Sequence, residues 1–247
     1  MKLKNEHYRF WEIDFTRGLA VIFMIFFHVL YDFNYFLDFN YEINQGLYRY
    51  IGRLAAILFI LIAGLSLNLS YSRTSKILSK KEIRLKLVKR GLKIIFLGLI
   101  ISFVTWIYIP NGFIIFGVLH FIGTSIIIWM LFERFQIYNF VFGVFFIFLG
   151  FYIRTQNFDS IYLLPFGFIP NNFWTIDYFP LFPWFGLILI GSALGNILYP
   201  NFKRRFNIPD ISNSLFIKLF CFLGRNSLAI YFIHQPIIIA IIVLFLS

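Results

Sequence analysis

Cysteine is nearly absent from this chain. Cys221 stands alone, which rules out an intramolecular disulfide framework; a small buried hydrophobe is its ordinary role. Charge is also scarce, at 13% of residues, and acids are scarcer than bases, 11 against 22. No G-x-S-x-G elbow, Walker A loop or dinucleotide fingerprint occurs, so the familiar serine-nucleophile and nucleotide-binding routes lack their sequence support. A metal centre would need ligand pairs such as i, i+4 histidines with carboxylates at the same level. None is present, and no metal is expected. No internal repeat shows, and no soluble domain is expected.

Apolar residues fill the space. They make up 60% of the 247 residues, with 36 Phe and 14 Tyr, against about 45–50% in an average globular chain. Runs almost free of charge fall at about 15–37, 49–72, 91–109, 112–132, 137–153, 181–199 and 225–246, most of them near the ~20 residues that a bilayer core demands. The expected fold is all-α, a polytopic bundle of about seven transmembrane helices forming a single domain over 1–247. The first run is too long for a cleavable signal, carries Arg17 and His28, and lacks a small-residue cleavage site.

The net charge of +11 is distributed as topology rather than as a nucleic-acid footprint. "RTSKILSKKEIRLKLVKRGLK" (73–93) holds nine Lys/Arg and one acid, which places it in the cytoplasm. Alternation then puts the N-terminus, the 133–136 turn and the 200–225 segment on the same side, and together these carry 19 of the 22 basic residues. The expected orientation in the cell membrane is N-terminus in and C-terminus out, with basic residues meeting lipid headgroups. The segment 201–224 reads as a short amphipathic stretch at the interface. The outer segment 154–180, with "LLPFGFIPNNFWTIDYFP", is long and aromatic, as functional loops often are.

Four ionisable groups interrupt the first span, "DFTRGLAVIFMIFFHVLYD" (14–32). At 100° per residue Asp14, Arg17, His28 and Asp32 share a stripe about 60° wide. Each would cost at least ~2.5–3.5 kcal/mol at a helix centre if left in hydrocarbon, so the stripe must face protein or a wet cavity. At 1.5 Å per residue they form a ladder, with Arg17 near the inner surface, His28 about 16 Å further and Asp32 a turn beyond. Asp14 can serve as a helix N-terminal charge, Arg17 can snorkel, and Asp32 can pair with Arg53. His28 has no such positional reason. His120 in "FGVLHFIG" and His234 in "LAIYFIHQP" fall at overlapping depth, which suggests a shared cavity. His7 sits in the polar N-terminal tail.

The arginine at 17, ten intervening residues before His28, resembles the signature of bacterial membrane O-acyltransferases. The wider sequence is closer to the prokaryotic branch of the heparan-alpha-glucosaminide N-acetyltransferase catalytic-domain family. "EIDFTRGLAVIFMIFFHVLYD", "LFILIAGLSL", "FGVLHFIG", "DYFPLFPWFGLILIGSALG" and "LGRNSLAIYFIHQPIII" resemble its blocks in order, from about residue 9 to 240. The resemblance implies transfer of an acetyl group from cytoplasmic acetyl-CoA to an amino or hydroxyl group of a sugar or glycan across the membrane. It also implies His28 as catalytic histidine, either as general base or as an acetylated intermediate, with Asp32 and Asp14 beside it. Eukaryotic members carry asparagine at the position of His28 and a histidine in the following loop. Residues 33–48 hold no histidine here, so amine and hydroxyl acceptors both stay open.

Coenzyme A carries a pyrophosphate and a 3′-phosphate, for which Arg17, Arg90, Lys89, Arg225 and Lys86 are the candidate cations. His120, His234, Asp177 and Trp184 are the candidates for binding the acceptor. The resemblance suggests a homodimer. A proton-coupled transporter with a His/Asp relay is the competing reading, although no pair of Gly/Pro-broken spans in corresponding halves accompanies it.

Overall fold

The computed structural model describes residues 9–37, 46–156 and 158–245; His7 lies outside them. The described residues are helical and contain no strand. Six helices are long and apolar enough to cross a bilayer, and a seventh apolar helix is shorter. The chain is therefore a polytopic helical membrane protein. Its helices are α1 (Trp11–Leu37), α2 (Gly46–Thr74), α3 (Lys80–Tyr108), α4 (Val118–Trp129), α5 (Asn139–Ile153), α6 (Leu181–Leu198), α7 (Leu215–Arg225) and α8 (Ser227–Phe245). They divide into two compact units, one of residues 1–62 with 208–247 and the other of residues 63–207. α2 begins in the first and ends in the second.

In the first unit, α1 runs 27 residues, about 40 Å at the helical rise. Glu12 and Asp14 in its first turn oppose the positive end of the helix dipole. α7 packs antiparallel to this first half. A Cβ on Gly18 would strike the Phe220 carbonyl, and one on Gly224 the Asp14 carbonyl. Between helices in lipid, contact of this kind supplies the attraction that the hydrophobic effect cannot. Phe15 stacks on Phe220 with ring centroids 4.9 Å apart, and the buried Cys221 thiol donates to the Trp11 carbonyl at 3.3 Å. The expected amphipathic stretch is thus α7, with Ile217, Cys221 and Gly224 buried and Phe216, Leu219 and Phe222 exposed. α8 buries one stripe, Ser227, His234, Ile238 and Ile242, and exposes Ile233, Ile237, Ile241 and Leu244.

In the second unit, α3 starts at Lys80 rather than near 91, so most of the basic stretch 73–93 is helix and not loop. Ser79 and Glu82 form a capping box, Ser79 N–H donating to Glu82 Oε2 at 2.8 Å and Glu82 N–H to Ser79 Oγ at 3.4 Å. Lys and Arg are good helix formers; their charge specifies a side of the membrane, not a loop. α4 is 12 residues long, about 18 Å, where a span over 112–132 was expected. The chain nonetheless returns along α3. Ile114 N–H donates to Thr105 Oγ1, the His120 ring lies over Gly98, Gly123 crosses Gly91 with 2.7 Å from an added Cβ to the Gly123 oxygen, and Arg84 pairs with Glu133 at 3.5 Å.

Backbone outside helices is tolerated at membrane depth only when its polar groups are satisfied by protein or water. Residues 112–118 satisfy theirs against 175–179. Ile176 N–H donates to the Gly112 carbonyl and Phe179 N–H to that of Phe116, each at 3.0 Å. Thr175 Oγ1 donates to the Phe113 carbonyl at 2.7 Å, and Val118 N–H donates to Asp177 Oδ2 at 3.1 Å. α5 and α6 pack antiparallel through Gly143, where a Cβ would stand 2.6 Å from the Gly186 carbonyl oxygen. Trp129, fully buried, donates to Ser192 Oγ at 2.9 Å.

Candidate functional site

The polar stripe of α1 faces α7 and α8. Its N-terminal end is a charge cluster around the buried Asp14. Arg17 stands 3.3 Å from that carboxylate, Arg225 at 3.5 Å and Arg9 at 3.8 Å. Three guanidinium groups thus gather around one carboxylate. The side chains of Arg9 and Arg225 are 58% and 50% exposed, so an anion in solution can reach both. Arg17 also reaches the Gly224 carbonyl at 3.5 Å. Arg9 escaped the sequence reading because it lies in the polar tail. The fit to a pyrophosphate or 3′-phosphate is good, since arginine donates to phosphate in a fixed fork.

The other end of the stripe holds His28, His234, Asp32 and Gln235. The His28 and His234 rings are 4.9 Å apart between centroids, at 61°. Asp32, one turn beyond His28, is buried and takes Gln235 Nε2 at 2.8 Å from each of its oxygens. Gln235 was missed in the sequence; its only signal was a second polar side chain directly after His234 in an otherwise apolar helix. The expected partner Arg53 is exposed on α2. His234 Nδ1 lies 2.7 Å from the Tyr231 carbonyl oxygen, and its Nε2 is buried without a partner.

Asp14 does not join this group: fourteen residues of helix put it about 21 Å from His28. It meets arginines instead. His28 and His234 come together, while His120 belongs to the second unit. There it is 5% exposed, its ring 5.8 Å from that of Phe116, and neither nitrogen has a hydrogen-bond partner. Asp177 caps the first turn of α4, a structural role that its place in a loop did not reveal. Trp184 packs on Phe179 at 4.9 Å between centroids, with its indole N–H buried and unpartnered. Lys86, Lys89 and Arg90 are exposed along the first half of α3. Among the described residues no cluster of three His, Cys, Asp or Glu is placed to hold a metal.

In the segment 154–180, Tyr178 donates its hydroxyl to the Leu164 carbonyl at 2.7 Å. Burial pushes its phenol up to about 12, with the charge of Arg154 opposing, so it stays a hydrogen-bond donor at any working pH.

Two observations now coincide, a histidine pair held between two apolar helices and an arginine cluster on the same helix face. Residues 9–236 match the family described as heparan-alpha-glucosaminide N-acetyltransferase, catalytic. The chain belongs to that family. No curated protein and no solved structure matches it. Membership implies a membrane acetyltransferase activity, and the matched residues run from before α1 to about halfway along α8. Both the charge cluster and the histidine pair of this family member lie inside the matched range.

Proposed function

We propose that the protein transfers an acetyl group from cytoplasmic acetyl-CoA to an amino or hydroxyl group of a sugar or glycan across the membrane. The observation that carries this is the single face of α1, with phosphate-competent arginines at one end and an imidazole pair at the other. Arg17, Arg225 and Arg9 would hold the coenzyme A phosphates. His28 would take the proton from the acceptor O–H or N–H as that atom attacks the thioester carbonyl. The C–S bond then breaks, the new C–O or C–N bond remains, and the imidazolium returns its proton to the thiolate. An imidazole suits this exchange because its ordinary pKa, about 6.5, lies near neutrality.

The proposed orientation is N-terminus in and C-terminus out. The return of residues 109–133 along α3 supports it, because that path supplies the seventh crossing which a 12-residue helix alone could not. The test is a transfer assay with purified protein, radiolabelled acetyl-CoA and a set of amino sugars and glycan extracts. Acetylated product is expected; a proton-relay transporter would yield none with any acceptor.

A further inference from the structure

Whether His28 can act as a base depends on which of its nitrogens carries the proton. A carbonyl oxygen only accepts hydrogen bonds. The 2.7 Å contact from His234 Nδ1 to the Tyr231 carbonyl therefore puts a proton on Nδ1. In the neutral ring, Nε2 is then the acceptor. That atom is buried and has no partner, an unfavourable state for a polar group unless something completes it. The ring beside it is His28.

We infer that His234 is a positioning residue for His28, resting on the transfer reaction proposed above. Its Nε2 draws an N–H from the adjacent imidazole, which leaves the lone pair of the far His28 nitrogen directed at the acceptor. The sequence of roles runs from the Tyr231 carbonyl through His234 to His28, each group fixing the proton position of the next. It is the logic by which a base is oriented by a third group in nucleophile–base–orienter arrangements, with a neutral histidine in place of a carboxylate. The two rings lie 4.9 Å apart between centroids, and catalytic hydrogen bonds commonly tighten in the complex with substrate. When His28 accepts the acceptor's proton it becomes an imidazolium with two N–H groups, and His234 Nε2 stabilises the one facing it. The proton is later returned to the coenzyme A thiolate, so nothing is left unbalanced. The one-turn backbone contact within α8 is what distinguishes His234 from a histidine that merely fills space.

The test combines kinetics with histidine spectroscopy. His234→Phe keeps a planar ring of similar size and should lower kcat roughly 10–100-fold, below the 10²–10⁴-fold expected for loss of the base itself. KM for acetyl-CoA should stay unchanged, because the coenzyme site lies at the other end of α1. His234→Gln keeps an acceptor oxygen and should retain more activity than His234→Phe. Nitrogen-15 spectra of the wild-type protein in detergent should show His234 protonated at Nδ1 and His28 as one tautomer, and His28 should become a tautomer mixture in His234→Phe. Wild-type kcat in His234→Phe, or a wild-type His234 protonated at Nε2, would overturn the inference. The spectra need no turnover, so they decide it even if the wild-type protein acetylates no acceptor, which would overturn the transfer reading instead. If His234→Phe does not fold, the wild-type spectrum alone decides.

Discussion

Gln235 holds both oxygens of Asp32, each at 2.8 Å, and so ties the C-terminal half of α1 to α8 one residue past His234. In hydrocarbon surroundings a carboxylate stripped of its donor is expensive. Gln235→Leu should destabilise the protein by about 1–3 kcal/mol, the usual cost of leaving a buried polar group unsatisfied. Thermal unfolding in detergent would measure this. Asp32→Asn combined with Gln235→Leu should cost less than the sum of the two singles, since the charge that suffers is then gone.

His28→Ala should lower the transfer rate about 10²–10⁴-fold while acetyl-CoA binding stays nearly intact, because the base acts only as the acceptor attacks. Steady-state rates and binding calorimetry together check this. His120→Ala should cost less in rate and show itself in KM for the acceptor. Full activity in His28→Ala would refute the base assignment.

Arg17→Gln should weaken acetyl-CoA binding, and more strongly at low salt, since screening already weakens the contact at high salt. Arg225→Gln should act the same way. Arg90→Gln should also weaken binding if α3 contributes to the coenzyme site. Calorimetry at two ionic strengths gives each effect its size, and unchanged affinity in all three variants would exclude a phosphate role for these arginines.

A cysteine placed at position 80 should label from the cytoplasmic side and not from outside in intact cells. The native Cys221 makes a quiet background: it is buried, and burial pushes its thiol above the ordinary range. Since the thiolate is the reactive form, labelling of Cys221 should stay slow near neutrality and rise only as pH approaches that raised value. Fast external labelling at position 80 would reverse the proposed orientation.

Gly123→Val should disrupt the α3–α4 pair, because its Cβ would stand 2.6 Å from the Gly91 carbonyl oxygen. Overpacking of this kind costs about 1–3 kcal/mol, and with backbone as the obstacle no rotamer can relieve it. Leu92→Ala, exposed on α3 beside Gly91, should leave the melting temperature nearly unchanged.

Much of the architecture was legible because hydrocarbon imposes few choices. Long apolar runs announced the helices, and the 100° period placed Asp14, Arg17, His28 and Asp32 on the face that meets α7 and α8. The start of α3 was misjudged because charge density was taken to signal a loop, although Ser79 and Glu82 were in plain view as a capping box. α4 was expected to be longer because residues 112–117 are as apolar as a helix; what ends the regularity there is pairing with 175–179, sixty residues away and invisible to local pattern. Gln235 and Arg9 went unnoticed for a similar reason. A partner is defined by contact, and contact between distant segments leaves no spacing to read.

The ties between residues 112–118 and 175–179 have a mechanical consequence. Asp177 grips the first turn of α4 while three further bonds clamp the approach to it, so residues 175–179 and the short helix form a single lever. A ligand that pulls on the aromatic residues after Pro170 would draw α4 with it, and His120 two residues inside that helix would register the pull.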